Sequence, residues 1–383
     1  MKKVLSALLV VVMIGALLAA CGGTGSDATA STPAASTPAA STPAAGTPAA
    51  GTPAPSEAPA ATGGFKVASH NAVVEGNPYR TVYEDQMAEA ANAAKAAGLI
   101  SEYNSFVANN DPALETQQLE QSINDGYDII LVNPIAASGL DAVIDKATDA
   151  GITYVNADCI YDSDKILNVV VDQDAYAKLN SDFVIKTLGA GSKVVQFKGI
   201  EGNSATEIRS KRWTEDLAAA DIEIVKAVAH NWSDPEAKQL MSEILASGLE
   251  FDGIINEESA QGIMDAIEEA GAPYPGCITS SEEIAWIRRI AKINENELVC
   301  PFIVTENPPG IGATALAVAI NVRLGNELDE SKMHSPTEIY YAPQWIMTYD
   351  NMAEKLDEVK DMPDSMSISS YLSVDQAKAA YFK

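Results

Sequence analysis

Residue types that make and break bonds are thinly spread over this 383-residue chain. His70, His230 and His334 stand apart, without the spacing by which histidines share a metal. The sequence has no P-loop, no His-Glu-x-x-His and no Gly-x-Ser-x-Gly elbow, and Gly310-x-Gly312 lacks the third glycine of a dinucleotide turn. Cys159 paired with a distant His is the one nucleophile reading, and no motif supports it. No catalytic residue, metal or cofactor is therefore expected. Four polar segments carry other chemistry: 69–79, with Asn77-Pro78-Tyr79; Asn156-Ala157-Asp158-Cys159; 198–213, with Arg209 and Trp213; and 254–260, with Asn256-Glu257-Glu258. Their amides, carboxylates, guanidiniums and rings suit non-covalent capture of a ligand.

Those segments follow short apolar runs. Strands are expected at 65–70, 105–108, 128–133, 152–157 and 167–172, then at 193–198, 222–229, 253–256, 277–280 and 298–305. Amphipathic helical patterns lie between them. Strict alternation implies an α/β fold of parallel sheets covered by helices on both faces, in two five-stranded halves. In such sheets ligands bind beyond the carboxyl ends of strands, where the four segments fall. Asn110-Asp111-Pro112 and Ser233-Asp234-Pro235 read as helix starts, and Gly98, Gly126, Gly151, Gly248 and Gly271 as helix stops.

Residues 1–64 hold only Lys2, Lys3, Asp27 and Glu57 as charges, so the net charge of -28 rests on the remainder. That acidity argues against nucleic acid and anionic membrane surfaces as partners. After the basic start Lys2-Lys3, an apolar run ends in Leu18-Ala19-Ala20-Cys21-Gly22, which resembles a bacterial lipobox. The resemblance implies a signal peptide over 1–20 and lipidation (palmitate-type acyl chains) at Cys21, two chains being what stable anchoring needs. Residues 21–64 repeat Thr-Pro-Ala units, as in Ser31-Thr32-Pro33-Ala34-Ala35. At roughly 3.1 Å per residue, such a tether reaches on the order of 100 Å. The expected location is the extracytoplasmic face of a cell membrane.

From 65 to about 349 the ordered segments resemble the type I periplasmic binding proteins of the ribose and galactose class, which supply ABC importers. The markers are Asn77-Pro78-Tyr79, Ile129-Ile130-Leu131-Val132-Asn133-Pro134, Gly199-x-x-Gly202-x-Ser204-Ala205, and Asn256 followed by an acid. The resemblance implies two Rossmann-like lobes joined by a three-crossing hinge, near Asp172, Glu306 and Ile339, that closes on a sugar. It sets the first lobe at 65–172 plus 307–338 and the second at 173–306 plus 339–383. Residues after Tyr349 are expected to add one or two helices to the second lobe.

Carried over by position, the ligand-binding residues are Asn77, Tyr79, Asp158, Cys159, Glu207 or Arg209, Trp232, Asn256, Ser280 and Glu306. Rings suit the C–H faces of sugars, and amides and carboxylates suit their hydroxyls. Asn77-Pro78 also reads as a turn, Asp158 as a loop cap, and Trp232 as a core or surface ring. Glu257, Glu258, Glu282 and Glu283 read as acids at helix N-termini. Ribose-type sites carry Asp-Arg where this chain has Asp158-Cys159, Arg at Glu207, Asp near Ser280 and Gln near Glu306; Arg80 and Arg209 partly compensate. An amino sugar, another pentose or hexose, a polyol or a cationic ligand is expected in place of ribose, with ABC permease subunits as partners. A receptor-coupled sensor of the same fold and a surface carbohydrate-active enzyme are the alternatives. Cys277 and Cys300 are expected to be reduced, with a pairing between consecutive strands as the other option.

Overall fold

The computed structural model describes residues 63–75, 78–280 and 282–383. Cys21, the Thr-Pro-Ala repeats and Asn77 lie outside the described residues. The first lobe opens with β1 (Phe65–Asn71), α1 (Pro78–Ala96), β2 (Ile100–Val107) and α2 (Pro112–Asn124). It continues with β3 (Ile129–Asn133), α3 (Asp141–Asp149), β4 (Thr153–Ala157) and β5 (Leu167–Val171). The second lobe holds α4 (Gln173–Leu188), β6 (Lys193–Lys198), α5 (Ser204–Ala219), β7 (Glu223–Ala229) and α6 (Asp234–Ser247). Then come β8 (Gly253–Asn256), α7 (Ala260–Ala270), β9 (Ile278–Ser280), α8 (Ile284–Ile293) and β10 (Phe302–Thr305). The last elements are α9 (Ile311–Arg323), β11 (Glu338–Tyr341), β12 (Ile346–Thr348), α10 (Met352–Glu358) and α11 (Val374–Tyr381).

Two six-stranded sheets result, ordered β11-β5-β4-β3-β1-β2 and β12-β10-β9-β8-β6-β7. Every pair is parallel except β10 with β12. The central strands are buried on both faces, which is why Ile129-Ile130-Leu131-Val132 is an unbroken apolar run. Helices turn one stripe inward, as Tyr83, Met87, Ala91 and Ala94 do in α1. Helix α9 is buried from Ile311 through Asn321 because the sheet, α1 and α11 enclose it. A Cβ on Gly312 would lie 2.4 Å from the Tyr83 ring, so only glycine admits that contact.

Both sheets share one winding order, with the reversal between β1 and β3 in the first and between β6 and β8 in the second. Ligand sites of such sheets form at the carboxyl side of that reversal.

The structure corrects three expectations. Each sheet has six strands, because 338–341 and 346–348, short and framed by Tyr, Pro and Gln, form β11 and β12. Strand β11 pairs with β5, so Ile339 belongs to the first lobe and the crossing lies at 342–345. The hinge has four crossings in place of three. After α10 packs on α8 and β12, the chain returns along 367–373, and α11 docks on α9 with Ala377, Tyr381 and Phe382 in the first-lobe core. Residues 374–382 therefore leave the second lobe, drawn by an apolar face that completes α9's burial.

The crossings are bonded to one another. The Glu306 carboxylate Oε2 accepts the N–H groups of Gln344 (3.0 Å) and Trp345 (2.9 Å). The Ser369 hydroxyl accepts from the Gly310 N–H at 2.7 Å and donates to Gln86 Oε1 at 2.6 Å. The Ile368 N–H donates to the Glu282 carbonyl at 2.9 Å. Cys159, Cys277 and Cys300 are all unpaired, the last two buried.

Candidate functional site

The carboxyl ends of β1, β3 and β4 place one half of a polar cluster. Tyr79 donates to Asp158 Oδ1 at 3.0 Å and to the Pro308 carbonyl at 3.3 Å, tying α1 to the second crossing. Arg80 forms an ion pair with Asp158 Oδ2. Asp158 sits at φ 71°, a left-handed corner that an Asp tolerates. The Cys159 thiol accepts from Asn133 Nδ2 at 3.3 Å. Burial, with the Asp158 charge adding to it, pushes that thiol up to about 11, so it stays protonated and is no nucleophile near neutral pH.

The second lobe supplies the other half. Arg209 is 1% exposed and lies on the inward stripe of α5 with Thr206, Trp213 and Leu217. Its guanidinium carbon stands 4.2 Å from the Tyr176 ring centre, and Nε donates to Gln173 Oε1 at 2.8 Å. Nη1 donates to Glu257 Oε2 at 3.2 Å and pairs with Glu258 Oε1 at 3.7 Å. Burial works against the Arg209 charge, and Tyr176, Glu257, Glu258 and Glu282 more than offset it, raising its pKa. Glu257 Oε2 also accepts from Thr206 Oγ1 (3.2 Å) and Trp232 Nε1 (3.1 Å). Glu257 is thus a hub between β8 and α5, in place of the helix-terminal acid expected of it.

His230 fixes the geometry behind this hub. Burial lowers its pKa, so the ring is neutral, and Nδ1 accepts the Trp232 N–H at 2.9 Å. Nε2 must therefore carry the proton it shares with Asn256 Oδ1 at 3.1 Å. That leaves Asn256 Nδ2, Glu257 Oε1, Arg209 Nη2, Ser280 Oγ and Glu306 Oε1 buried with no hydrogen-bond partner among the described residues. Such atoms also occur elsewhere in both lobes, as on Gln118, Tyr154 and Trp286; these five lie on α5, at the ends of β8 and β9, and at the second crossing.

Asn307 joins the halves from the second crossing. It accepts from Gln173 Nε2 at 3.1 Å, donates from Nδ2 to Glu258 Oε1 at 3.5 Å, and from its backbone N–H to Glu282 Oε2 at 2.8 Å. Burial first, then the Glu257 charge and Asp158 from the other lobe, raise Glu258 to about 7 against the pull of Arg209. Burial raises Glu282 well above the carboxylate range.

Of the residues expected from the sequence, the structure brings Tyr79, Asp158, Cys159, Arg209, Trp232 and Asn256 to this cluster. Ser280 ends the neighbouring strand, and Glu306 binds the third crossing. Glu207 is not brought there: it is exposed and accepts the Gly202 N–H at 3.0 Å, closing the first turn of α5. Between Glu207 and Arg209, the helix turns Arg209 inward. Gln173, His230, Glu257, Glu258, Glu282 and Asn307 were not anticipated as site residues. One signal was available: an arginine spaced three and four residues from Thr206 and Trp213 interrupts an apolar stripe, which requires a buried acid.

Residues 72–327 match the periplasmic binding protein domain. The chain belongs to that family, and to its type I ribose and galactose class. This binding protein is 29% identical over 241 residues to a putative rhizopine-binding protein of Rhizobium meliloti, covering 60% of this chain and 76% of that one. It is 24% identical to the D-allose-binding periplasmic protein of Escherichia coli, covering 68% and 86%. The match to the ribose import binding protein of Bacillus subtilis is 25% and spans about half of that relative's length (54%). Among solved structures, a solute-binding protein of Bacillus halodurans with bound myo-inositol superposes with a TM-score of 0.65 at 20% identity. That superposition covers 78% of this chain and 99% of that one, and it establishes the fold.

Proposed function

We propose that this binding protein captures a sugar, amino sugar or polyol between its two lobes and delivers it to the permease of an ABC importer. The observation that carries the reading is the set of unmet buried polar atoms on Arg209, Asn256, Glu257 and Ser280 of the second lobe, in a cluster whose Glu258 feels the charge of Asp158 on the first. Hydroxyls of a bound ligand would satisfy those atoms, each of which otherwise costs about 1–3 kcal/mol of stability. The indole of Trp232, pinned by Glu257, offers a flat face for sugar C–H groups. Relatives named for rhizopine, xylitol, ribose and allose support a polyhydroxylated ligand. No step in this function makes or breaks a bond.

The amino-terminal segment supports an anchored location: a signal peptide over 1–20, acyl chains on Cys21, and the Thr-Pro-Ala tether holding the body off the membrane. Radiolabelled palmitate incorporated by the wild-type chain and absent from Cys21→Ala tests that part. Thermal unfolding against a panel of sugars, amino sugars, polyols and nucleosides tests the ligand, since ligand at 100 times Kd adds about 2.7 kcal/mol of stability. A raised Tm with one polyhydroxylated class is expected. An unchanged Tm throughout that panel overturns the proposal.

A further inference from the structure

Five carboxyl side chains, those of Asp158, Glu257, Glu258, Glu282 and Glu306, meet at this site, and only two guanidiniums, Arg80 and Arg209, accompany them. No lysine bonds to any of the five among the described residues. Glu282 and Glu306 spend an oxygen each on backbone N–H groups, and Glu257 spends one on three donors. Glu258 is different. Its two contacts are long, 3.7 Å to Arg209 and 3.5 Å to Asn307, and its side chain is the most exposed of the second-lobe partners at 21%. Across from it stands Asp158, whose side chain is 11% exposed. Asp158 already holds Arg80, but Glu258 has only the long Arg209 contact, which leaves it room for a closer cation.

We propose that the ligand carries a protonated amine that Glu258 and Asp158 hold from opposite lobes, so that this binding protein selects an amino sugar or amino polyol over its neutral counterpart. The inference rests on the capture function above and specifies its ligand. The amine's positive charge adds an attraction to a carboxylate on each lobe, so closure follows from the charge as well as from contacts. Arg209 Nη2, Asn256 Nδ2, Ser280 Oγ and Glu257 Oε1 remain for hydroxyls. The titratable groups facing Glu258 are Tyr176 on α4, Arg209 on α5, Glu257 on its own loop, Asp158 after β4, and Glu282 and Glu283 before α8. With Glu258 raised to about 7 before the ligand arrives, a protonated amine binds best above that pH and below the amine's own pKa, and binding at or below pH 7 releases a proton from Glu258.

The test is calorimetry of the full chain, held in detergent, with glucosamine, galactosamine and an aminocyclitol against glucose, galactose and myo-inositol, at pH 6 and pH 8. At least one amine should bind about tenfold tighter than its neutral counterpart, more tightly at pH 8 than at pH 6. Glu258→Gln should bring the amine-to-neutral affinity ratio, read within the variant itself, to within about threefold of one. A neutral sugar or polyol that binds as tightly as its amine overturns this inference and leaves the capture function standing. A preference that survives Glu258→Gln, or a response to calcium and not to amines, also overturns it. Binding by none of the six overturns this inference, while the capture function falls only with an unchanged Tm across the wider panel.

Discussion

Glu306 and Trp345, on different crossings of the hinge, are bonded twice: the Glu306 N–H donates to the Trp345 carbonyl at 3.0 Å, and the Trp345 N–H to Glu306 Oε2 at 2.9 Å. The two segments therefore move as one ribbon. Glu306→Ala leaves the buried Trp345 N–H unpaired and should lower stability by about 1–3 kcal/mol in urea unfolding, with Glu306→Gln markedly milder because an acceptor remains. Equal losses for both variants would remove the hydrogen bonds as the cause.

Gly199 tests the Trp232 platform without touching it. Its Cβ position lies 2.2 Å from Trp232 Nε1, and its φ is not in the left-handed region, so alanine there displaces the indole and adds no backbone strain. Gly199→Ala, Trp232→Ala and Asn256→Ala should each weaken ligand binding at least about tenfold by calorimetry while the chain stays folded. Undiminished affinity in all three would place the ligand elsewhere.

Glu258 has a stability signature of its own. Its pKa is raised in the folded state to about 7 from an ordinary 4.5, so the folded chain holds more protons than the unfolded one between those values. Stability from this group is full below about 4.5 and is lost as pH rises toward 7. Glu258→Gln should therefore flatten that slope and raise ligand-free stability at pH 8, on the order of 2 kcal/mol after allowance for partial exposure. A steeper slope in the variant would reverse the assigned sign.

Burial holds the thiols of Cys277 and Cys300 up to about 12 and that of Cys159 to about 11. A thiol-specific disulfide reagent at pH 8 should label the native chain slowly and completely only in denaturant. Cys159 should react first among the three, and saturating ligand should slow it further. Rapid labelling of Cys277 or Cys300 in the native state would contradict the packing around β9.

The architecture was legible in the sequence because its strands are apolar runs and its helices have marked ends. Asp111 and Ser233 do cap α2 and α6, and Gly248 and Gly271 do end α6 and α7 in the left-handed conformation. Strands β11 and β12 were not legible, since Glu338-Ile339-Tyr340-Tyr341 and Ile346-Met347-Thr348 are too short to separate from a linker. The site was half legible. Loop position pointed to Asp158, Trp232 and Asn256, but Glu257 and Glu258 sit just before a helix, where acids are expected for the dipole alone. Only Arg209, facing inward from α5, shows that they serve another purpose. Of Glu207 and Arg209, both implied by the resemblance, helical phase turns only Arg209 inward.

The return of the chain through 367–373 has a consequence for how the protein is made. The core of the first lobe joins Phe65, near the start of the folded body, to Ala377, Tyr381 and Phe382 at its close. The second lobe's core ends earlier, at Ile368, and can assemble while the final helix is still being synthesised. The first lobe must wait, its α9 groove open, until α11 arrives. Folding of that lobe is bound to slow, sequence-distant contacts, and a chain interrupted before α11 should persist as a half-native, aggregation-prone species with only the second lobe formed.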